Sequence, residues 1–305
     1  MFALATWDPL PRVERIGSEM SRPPLSVILA TIEPWPDLAR CLEVLEPQVA
    51  GIGGEIIVGD GHGEALEAGH ASSSALTWIR SPGTSVFELR ARAMEVAKGE
   101  IVATTEDHCV IAPDWCEAIL KAFQSAPGMM AMTGPVINGS QARLIDWANY
   151  LHTFGCFAPP INTDQRERCP PNANVAYRRS VIPEGTLSPG WIELVLNPQL
   201  FSAGLFGVTE DMTVTHVQSH GLFGTLGAHF DNGRSTTGLR HISLSRRQLP
   251  WHVYRGTVRT LSRSASLRPV IRRTLPLLFV LSCCHALGEV AGIIAGPGKS
   301  PTRVR

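Results

Sequence analysis

The chain has 305 residues, 44% of them hydrophobic and 18% charged, with a mean hydropathy of +0.06. It is long enough for one large domain with its own core, and the composition excludes general disorder. The formal net charge of zero conceals a division: residues 234–305 hold twelve Arg, one Lys and a single acid, Glu289, a net +12, which leaves −12 on residues 1–233.

Residues 1–24 read as a loose lead-in closed by Pro23-Pro24. Asp8, Pro9 and Glu14 break any apolar run there, so no secretory signal is expected. LSVILAT (25–31) is a continuous apolar, β-branched run, the pattern of a strand buried on both faces. Residues 36–50 place Leu38, Cys41, Leu42 and Leu45 at helical spacing behind Pro36. EIIVGDG (55–61) predicts a second buried strand, LTWIRSPG (76–83) a short strand and turn, and residues 85–98 a helix closed by Gly99. EIVATTED (100–107) predicts another strand, ending in acids. DWCEAILKAFQS (114–125) predicts a helix and MMAMTGPVI (129–137) a strand. The alternation argues for a doubly wound α/β domain, in which ligands bind beyond the carboxyl ends of the strands. Thr31 and Glu33, Asp60, and Glu106 with Asp107 stand at three such ends and are expected to converge on one crevice.

Two of these ends carry chemistry. Glu106-Asp107-His108 crowds carboxylates at a strand end, which calls for a compensating cation. Oxygen donors suit Mg²⁺ or Mn²⁺, and His108 would join them if the ion is Mn²⁺; a solvated turn capping a helix is the plain alternative. Asp60 sits in VGDGHG, whose glycines do not have the dinucleotide fingerprint spacing. A carboxylate there is placed to accept a base N–H or a ribose hydroxyl, or simply to shape an Asp-Gly turn. The seven cysteines, Cys41, Cys109, Cys116, Cys156, Cys169, Cys283 and Cys284, lack zinc-knuckle spacing and read as reduced thiols of a cytosolic protein.

Taken in order, these segments resemble a family-two glycosyltransferase. LSVILATIEPWPDLARCLEVLEPQ is similar to the family's opening strand and helix, and EIIVGDG to its second strand with a nucleotide-contacting Asp. ELRARAMEVAKGEIVATTEDHCVIAPDWCEAIL resembles the stretch that carries its D-x-D, and PPNANVAYRRSVI its later G-N-x-A-x-R-R segment. The resemblance runs over residues 25–220. It implies a GT-A type fold, a doubly wound mixed sheet like that of nucleotide-diphospho-sugar transferases, followed by a basic, partly apolar helical C-terminal tail. It implies a nucleotide-sugar donor contacted by Thr31, Glu33, Asp60, Glu106, Asn174 and Arg90 or Arg92. It also implies a Mn²⁺ or Mg²⁺ ion with Asp107 as principal contact, helped by His108 and by His216 in VTHVQSHG. This chain departs from the D-x-D pattern in reading Glu-Asp-His. Glu193, in GWIELVLNPQLFSAG (190–204), stands where the family has its catalytic acid but lacks the following Asp; Glu210 and Asp211 are rivals. The expected reaction is inverting transfer to a hydroxyl of a glycan, a polyprenyl-linked sugar or a small molecule. A catalytically degenerate GT-A-like binding or scaffold protein is the alternative. A nucleotidyltransferase would carry a Gly-rich phosphate loop that ATIEPWPD lacks.

The domain is expected over 25–233 and the basic region over 234–305. FDNGR (230–234), followed by Arg240, reads as a loop in which Arg234 closes over a pyrophosphate. Residues 240–273 are rich in Arg, and LPLLFVLSCCHALGEVAGIIAG (275–296) is apolar and about as long as a bilayer span, with His285 and Glu289 one turn apart inside it. An interfacial helix on an anionic membrane surface, a helix packed on the protein and a true span are the readings open here. The charge pattern and the resemblance favour a cytoplasmic protein peripheral to the inner face of the membrane, with no nucleic-acid partner.

Overall fold

A computed structural model describes residues 22–32, 35–63, 75–161, 172–240, 254–255, 258 and 267–304. The lead-in over 1–21, Glu33 and Cys169 lie outside the described residues.

The first half folds as its periodicity predicts. β1 (Leu25–Thr31) is buried along its whole length, with Leu25, Val27 and Leu29 in the core on one face of the sheet and Ile28 in that on the other. α1 (Trp35–Gly51) buries Leu38, Cys41, Leu42 and Leu45 as spaced. β2 (Glu55–Asp60) and β3 (Leu76–Arg80) lie outward of β1, and α2 (Val86–Val96) begins at Ser85, whose side chain accepts from the Glu88 amide at 3.3 Å. β4 (Ile101–Glu106) returns beside β1. These four strands are parallel in the order β3-β2-β1-β4.

The remaining strands make the sheet mixed. β5 (Cys109–Ile111) and α3 (Trp115–Ser125) follow β4. The expected single strand over 129–137 is two, β6 (Ala131–Thr133) and β7 (Val136–Asn138), in different sheets. The break is at Gly134-Pro135, where a Cβ on Gly134 would lie 1.9 Å from the Met212 carbonyl oxygen, so only glycine lets the two backbones meet. α4 (Leu144–Thr153) precedes β8 (Asn174–Arg178), which pairs antiparallel with both β4 and β6. A π-helical turn (Ile192–Leu196) runs into the short α5 (Asn197–Ser202). β9 (Phe206–Val208) completes the seven-stranded sheet, β3-β2-β1-β4-β8-β6-β9, and β10 (Val214–His216) joins β5 and β7 in a second, three-stranded sheet.

Two helices close the chain. Residues 230–240, read from sequence as a loop running from FDNGR to Arg240, belong to one helix, α6 (Gly221–Arg240), so the expected domain boundary at 233 falls inside a helix. α7 (Arg268–Ala295) lies along it with backbones in contact. A Cβ on Gly288 would sit 2.1 Å from the Phe230 carbonyl oxygen, and one on Gly233 2.3 Å from that of His285. Gly238 meets Pro297 in the same way, so the two helices run in the same direction. Small residues supply the close approach that offsets the low helix propensity of α6. α7 is long and apolar enough to cross a bilayer by length and composition. Ile271, Leu278 and Leu281 on its inner face nevertheless join the same core as β1, α1 and α3.

Candidate functional site

The ends of β1, β2 and β4 lie side by side. In register, Thr31 lies beside Asp60 and Ala30 beside Glu106. Asp60 is buried at the end of β2 and accepts the His62 amide at 2.8 Å, an Asx turn that fixes its carboxylate. The Thr31 hydroxyl donates to Asp107 Oδ2.

Beyond β4 the chain turns at once into β5, which brings His108 back over the strand end and opposite His216 of β10. The two Nε2 atoms are 2.9 Å apart, and Glu106 Oε2 lies 3.3 Å from one and 3.4 Å from the other. His108 Nδ1 is 2.7 Å from Asp107 Oδ1. Burial works against a charged His108, but its hydrogen bonds to Asp107 and Glu106 outweigh that and raise its pKa to about 10. Burial also disfavours charge on Glu106, yet the bonds to both histidines, with Arg90 nearby, hold it well below the usual carboxylate range. His216 is lowered, by burial and by His108. Glu106, His108 and His216 have ligand atoms within 4.8 Å of one another, so these residues fit a divalent cation.

The second half of the site hangs on Arg90. Its place in α2 turns it inward, where Nη1 donates to Glu193 Oε1 at 2.8 Å and Nη2 to Glu106 Oε1 at 3.2 Å. Asn172 Nδ2 also donates to Glu193 Oε1, at 2.7 Å. Glu193 Oε2 is buried with no hydrogen-bond partner among the described residues. Burial raises the Glu193 pKa, against the pull of Arg90. Arg90, Glu106, Glu193 and His216 line one wall of a cavity of about 280 Å³, and α6 contributes His229, Asn232 and Thr236 to its lining.

Several expected site residues do other work. Asp107 has its two oxygens engaged by Thr31 and His108. Arg92 faces outward, donating to Ser81 and Glu88 on the surface. Asn174 is fully buried inside the protein. It accepts the Trp115 indole N–H at 2.9 Å and donates to the Pro135 and Met212 carbonyls at 3.0 and 2.6 Å, which uses up its amide as a brace between the two sheets. Arg234 donates to the Gly296 carbonyl at 3.1 Å and holds the end of α7. Glu210 and Asp211 are exposed in the turn before β10. The sequence reading missed Asn172 and the polar face of α6. His229, Asn232 and Thr236 are spaced i, i+3, i+7, a stripe visible only once the segment is known to be helical.

No family model and no curated protein matches the sequence. Among solved structures the chain is similar to a mannosyltransferase from Pyrobaculum calidifontis in complex with GDP-Man and Mn2+. Identity is 15%, coverage 89% of this chain and 88% of that one, and the TM-score 0.52. S. aureus TarS aligns with 12% identity over 88% of this chain and 55% of its own, at a TM-score of 0.47. Its 1–349 fragment aligns with 11% identity over 88% and 90%, at 0.44. Of the three, the likeness to the mannosyltransferase is the one that shows the fold. The chain has a glycosyltransferase fold of the GT-A type.

Proposed function

We propose that the protein is a metal-assisted glycosyltransferase that moves a sugar from a nucleotide-sugar donor to a hydroxyl acceptor with inversion at the anomeric carbon. The observation that carries the reading is the meeting, in one cavity, of Glu193, whose buried Oε2 has no hydrogen-bond partner among the described residues, with Glu106 and His216, two members of the ion-ready group that His108 completes. The mannosyltransferase of like fold was solved with GDP-Man and Mn2+, which supports a donor of this class.

Each residue then has a task. Asp60 accepts a hydrogen bond from the nucleoside, with Thr31 beside it in register. Glu106, His108 and His216 would hold the divalent ion, which would offset the charge of the departing diphosphate. Arg90 and Asn172 clamp Glu193 Oε1, so Oε2 faces the acceptor hydroxyl and takes its proton as the oxygen attacks. Burial raises the Glu193 pKa and makes it a stronger base for that transfer. The amide and hydroxyl groups of Asn232 and Thr236 suit a polyhydroxylated acceptor, a glycan or a lipid-linked or small sugar.

The same reading places the protein at the cytoplasmic face of a membrane, without spanning it. The outer side of α7 exposes Phe279, Val280, Leu287 and Ile294, and α6 begins with exposed Leu222 and Phe223, the latter 85% accessible. Arg272 and Arg273 are exposed on α7 beside these apolar groups, a combination suited to an anionic bilayer surface. The inner side of α7, built into the core, argues against a full span.

The test is the melting temperature of the protein with nucleoside diphosphates and nucleotide-sugars, each with and without Mn²⁺. A ligand at a hundred times its Kd adds about 2.7 kcal/mol of stability. A metal-dependent rise of several degrees with one nucleotide, absent in Asp60→Ala, supports the donor site. No rise with any nucleotide in folded protein removes it and leaves a GT-A-like scaffold.

A further inference from the structure

Two helices give the cavity a wall of neutral polar groups. α6 brings His229, Asn232 and Thr236 to the lining at i, i+3 and i+7, and α4 adds Asn149. At 1.5 Å per residue the α6 stripe runs for about 10 Å, enough to meet more than one hydroxyl of a ligand. Each amide is held by its oxygen. Asn149 Oδ1 accepts from His229 Nε2 at 2.9 Å, and Asn232 Oδ1 accepts from the Thr236 hydroxyl at 3.3 Å. Neither Nδ2 has a protein partner among the described residues, so two oriented NH₂ groups are left on residues that line the cavity. His229 adds no charge: burial and the neighbouring His285 lower its pKa to about 3. The His152 ring meets it edge-on, 4.5 Å away between centroids. Phe87, Phe154 and Ala228 lie in the same lining and supply apolar surface for C–H groups. Among the described lining residues the one guanidinium, Arg90, is already bonded to Glu193 and Glu106. A phosphate or carboxylate beside the reacting group would therefore face two carboxylates and no unpaired cation of those residues.

From this wall, and resting on the proposed function for the reaction, we infer that the acceptor enters as an uncharged saccharide whose hydroxyls are bound by Asn149, Asn232 and Thr236, and that the group it offers to the donor is a sugar hydroxyl and not a phosphate. In the transfer the acceptor oxygen forms its bond to the anomeric carbon and its proton passes to Glu193 Oε2. The bond from that carbon to the diphosphate breaks, and its electron pair leaves with the nucleoside diphosphate. A phosphate oxygen would attack as an anion and would need no such base, so the clamped carboxylate and the amide wall point to the same acceptor. A lipid-linked chain fits this wall through its terminal sugar and not through its phosphate. Asn149, Asn232 and Thr236 set specificity, because a hydroxyl missing from the ligand leaves their polar groups unmatched.

The experiment uses the full chain with a chelator and no nucleotide, so that it stands apart from the donor-binding test. The probes are methyl hexopyranosides and methyl N-acetylhexosaminides, set against hexose 1-phosphates, hexose 6-phosphates and methyl hexuronosides. Binding is read by saturation-transfer nuclear magnetic resonance and titrated to a Kd. The expected result is saturation of at least one neutral glycoside and of none of the charged sugars. Asn232→Ala and Thr236→Val should each weaken that glycoside about five- to tenfold, the loss of one hydrogen bond. The comparison of neutral with charged sugars is made on the wild type and depends on no variant. Charged sugars that bind as well as neutral ones, no saturation of any glycoside, or affinities that both variants leave unchanged with a native circular dichroism spectrum would each overturn the inference. Saccharide binding without binding of any nucleotide would instead sink the proposed function and leave a sugar-binding cleft between α4 and α6.

Discussion

Arg90→Met tests whether the two halves of the cavity share one buried cation. Arg90 is 7% exposed and bridges Glu193 at 2.8 Å and Glu106 at 3.2 Å. Methionine keeps much of the volume and removes the charge, leaving Glu193 with only the Asn172 amide and Glu106 with only its two histidines. Breaking a buried pair by removing one member costs about 3–5 kcal/mol. Glu193 sets the pH dependence. Its pKa in the fold is already raised by burial, and losing Arg90 raises it further. A raised acid destabilises the fold as pH climbs from its unfolded value through its folded one. The deficit of Arg90→Met should therefore be largest near pH 8 and shrink towards pH 4. Urea denaturation with a chelator present measures it at both pH values. Adding Glu193→Gln should recover about half of the loss at pH 8, because one unpaired charge is gone. A deficit below about 1 kcal/mol at pH 8, or one that does not change with pH, would refute the bridge.

Asn174→Ala should cost about 3–5 kcal/mol in denaturant titration, since three buried partners lose their hydrogen bonds. Donor affinity of the protein that stays folded should be unchanged; a selective loss of donor binding would restore Asn174 to the site. Gly288→Ala should lower the melting temperature through about 1–3 kcal/mol of overpacking, because the added Cβ meets backbone on α6 and no side chain can move aside. Glu289→Gln should stabilise. Burial raises the Glu289 pKa to about 7, so the wild-type fold loses stability between the ordinary carboxylate pKa and pH 7. The variant should gain about 2 kcal/mol at pH 8 and nothing at pH 4, read from thermal melts at both.

The residues that could be read from sequence are those whose role is set by their own element. β1, β2 and β4 are continuous apolar runs, and a strand that ends in Asp60 or Glu106 delivers it to the switch point whatever the rest does. Arg90 and Arg92 could not be told apart by spacing, because only the packing of α2 on the sheet decides which one turns inward. The resemblance put Asp107 first as metal contact; the turn into β5 brings His108 together with Glu106 and His216, whose ligand atoms lie within 4.8 Å of one another. Asn174 lay in a suggestive motif but at a point between two sheets that no local pattern announces. α6 was hidden by its glycines, which lower helix propensity and at the same time let α7 approach closely enough to hold the helix. With α6 hidden, the stripe that His229, Asn232 and Thr236 contribute to the cavity lining was hidden as well.

The most direct test of the central claim is release of nucleoside diphosphate from a panel of GDP- and UDP-sugars in the presence of Mn²⁺, with water as the minimal acceptor. Wild type is compared with Glu193→Gln after both are shown to bind the donor. Wild type should release the diphosphate from at least one donor, and Glu193→Gln should do so about a hundred- to ten-thousandfold more slowly, the range spanned by a general base. Release by both proteins at the same rate, or by neither with any donor that binds, would contradict the assignment of Glu193 and of sugar transfer to this cavity.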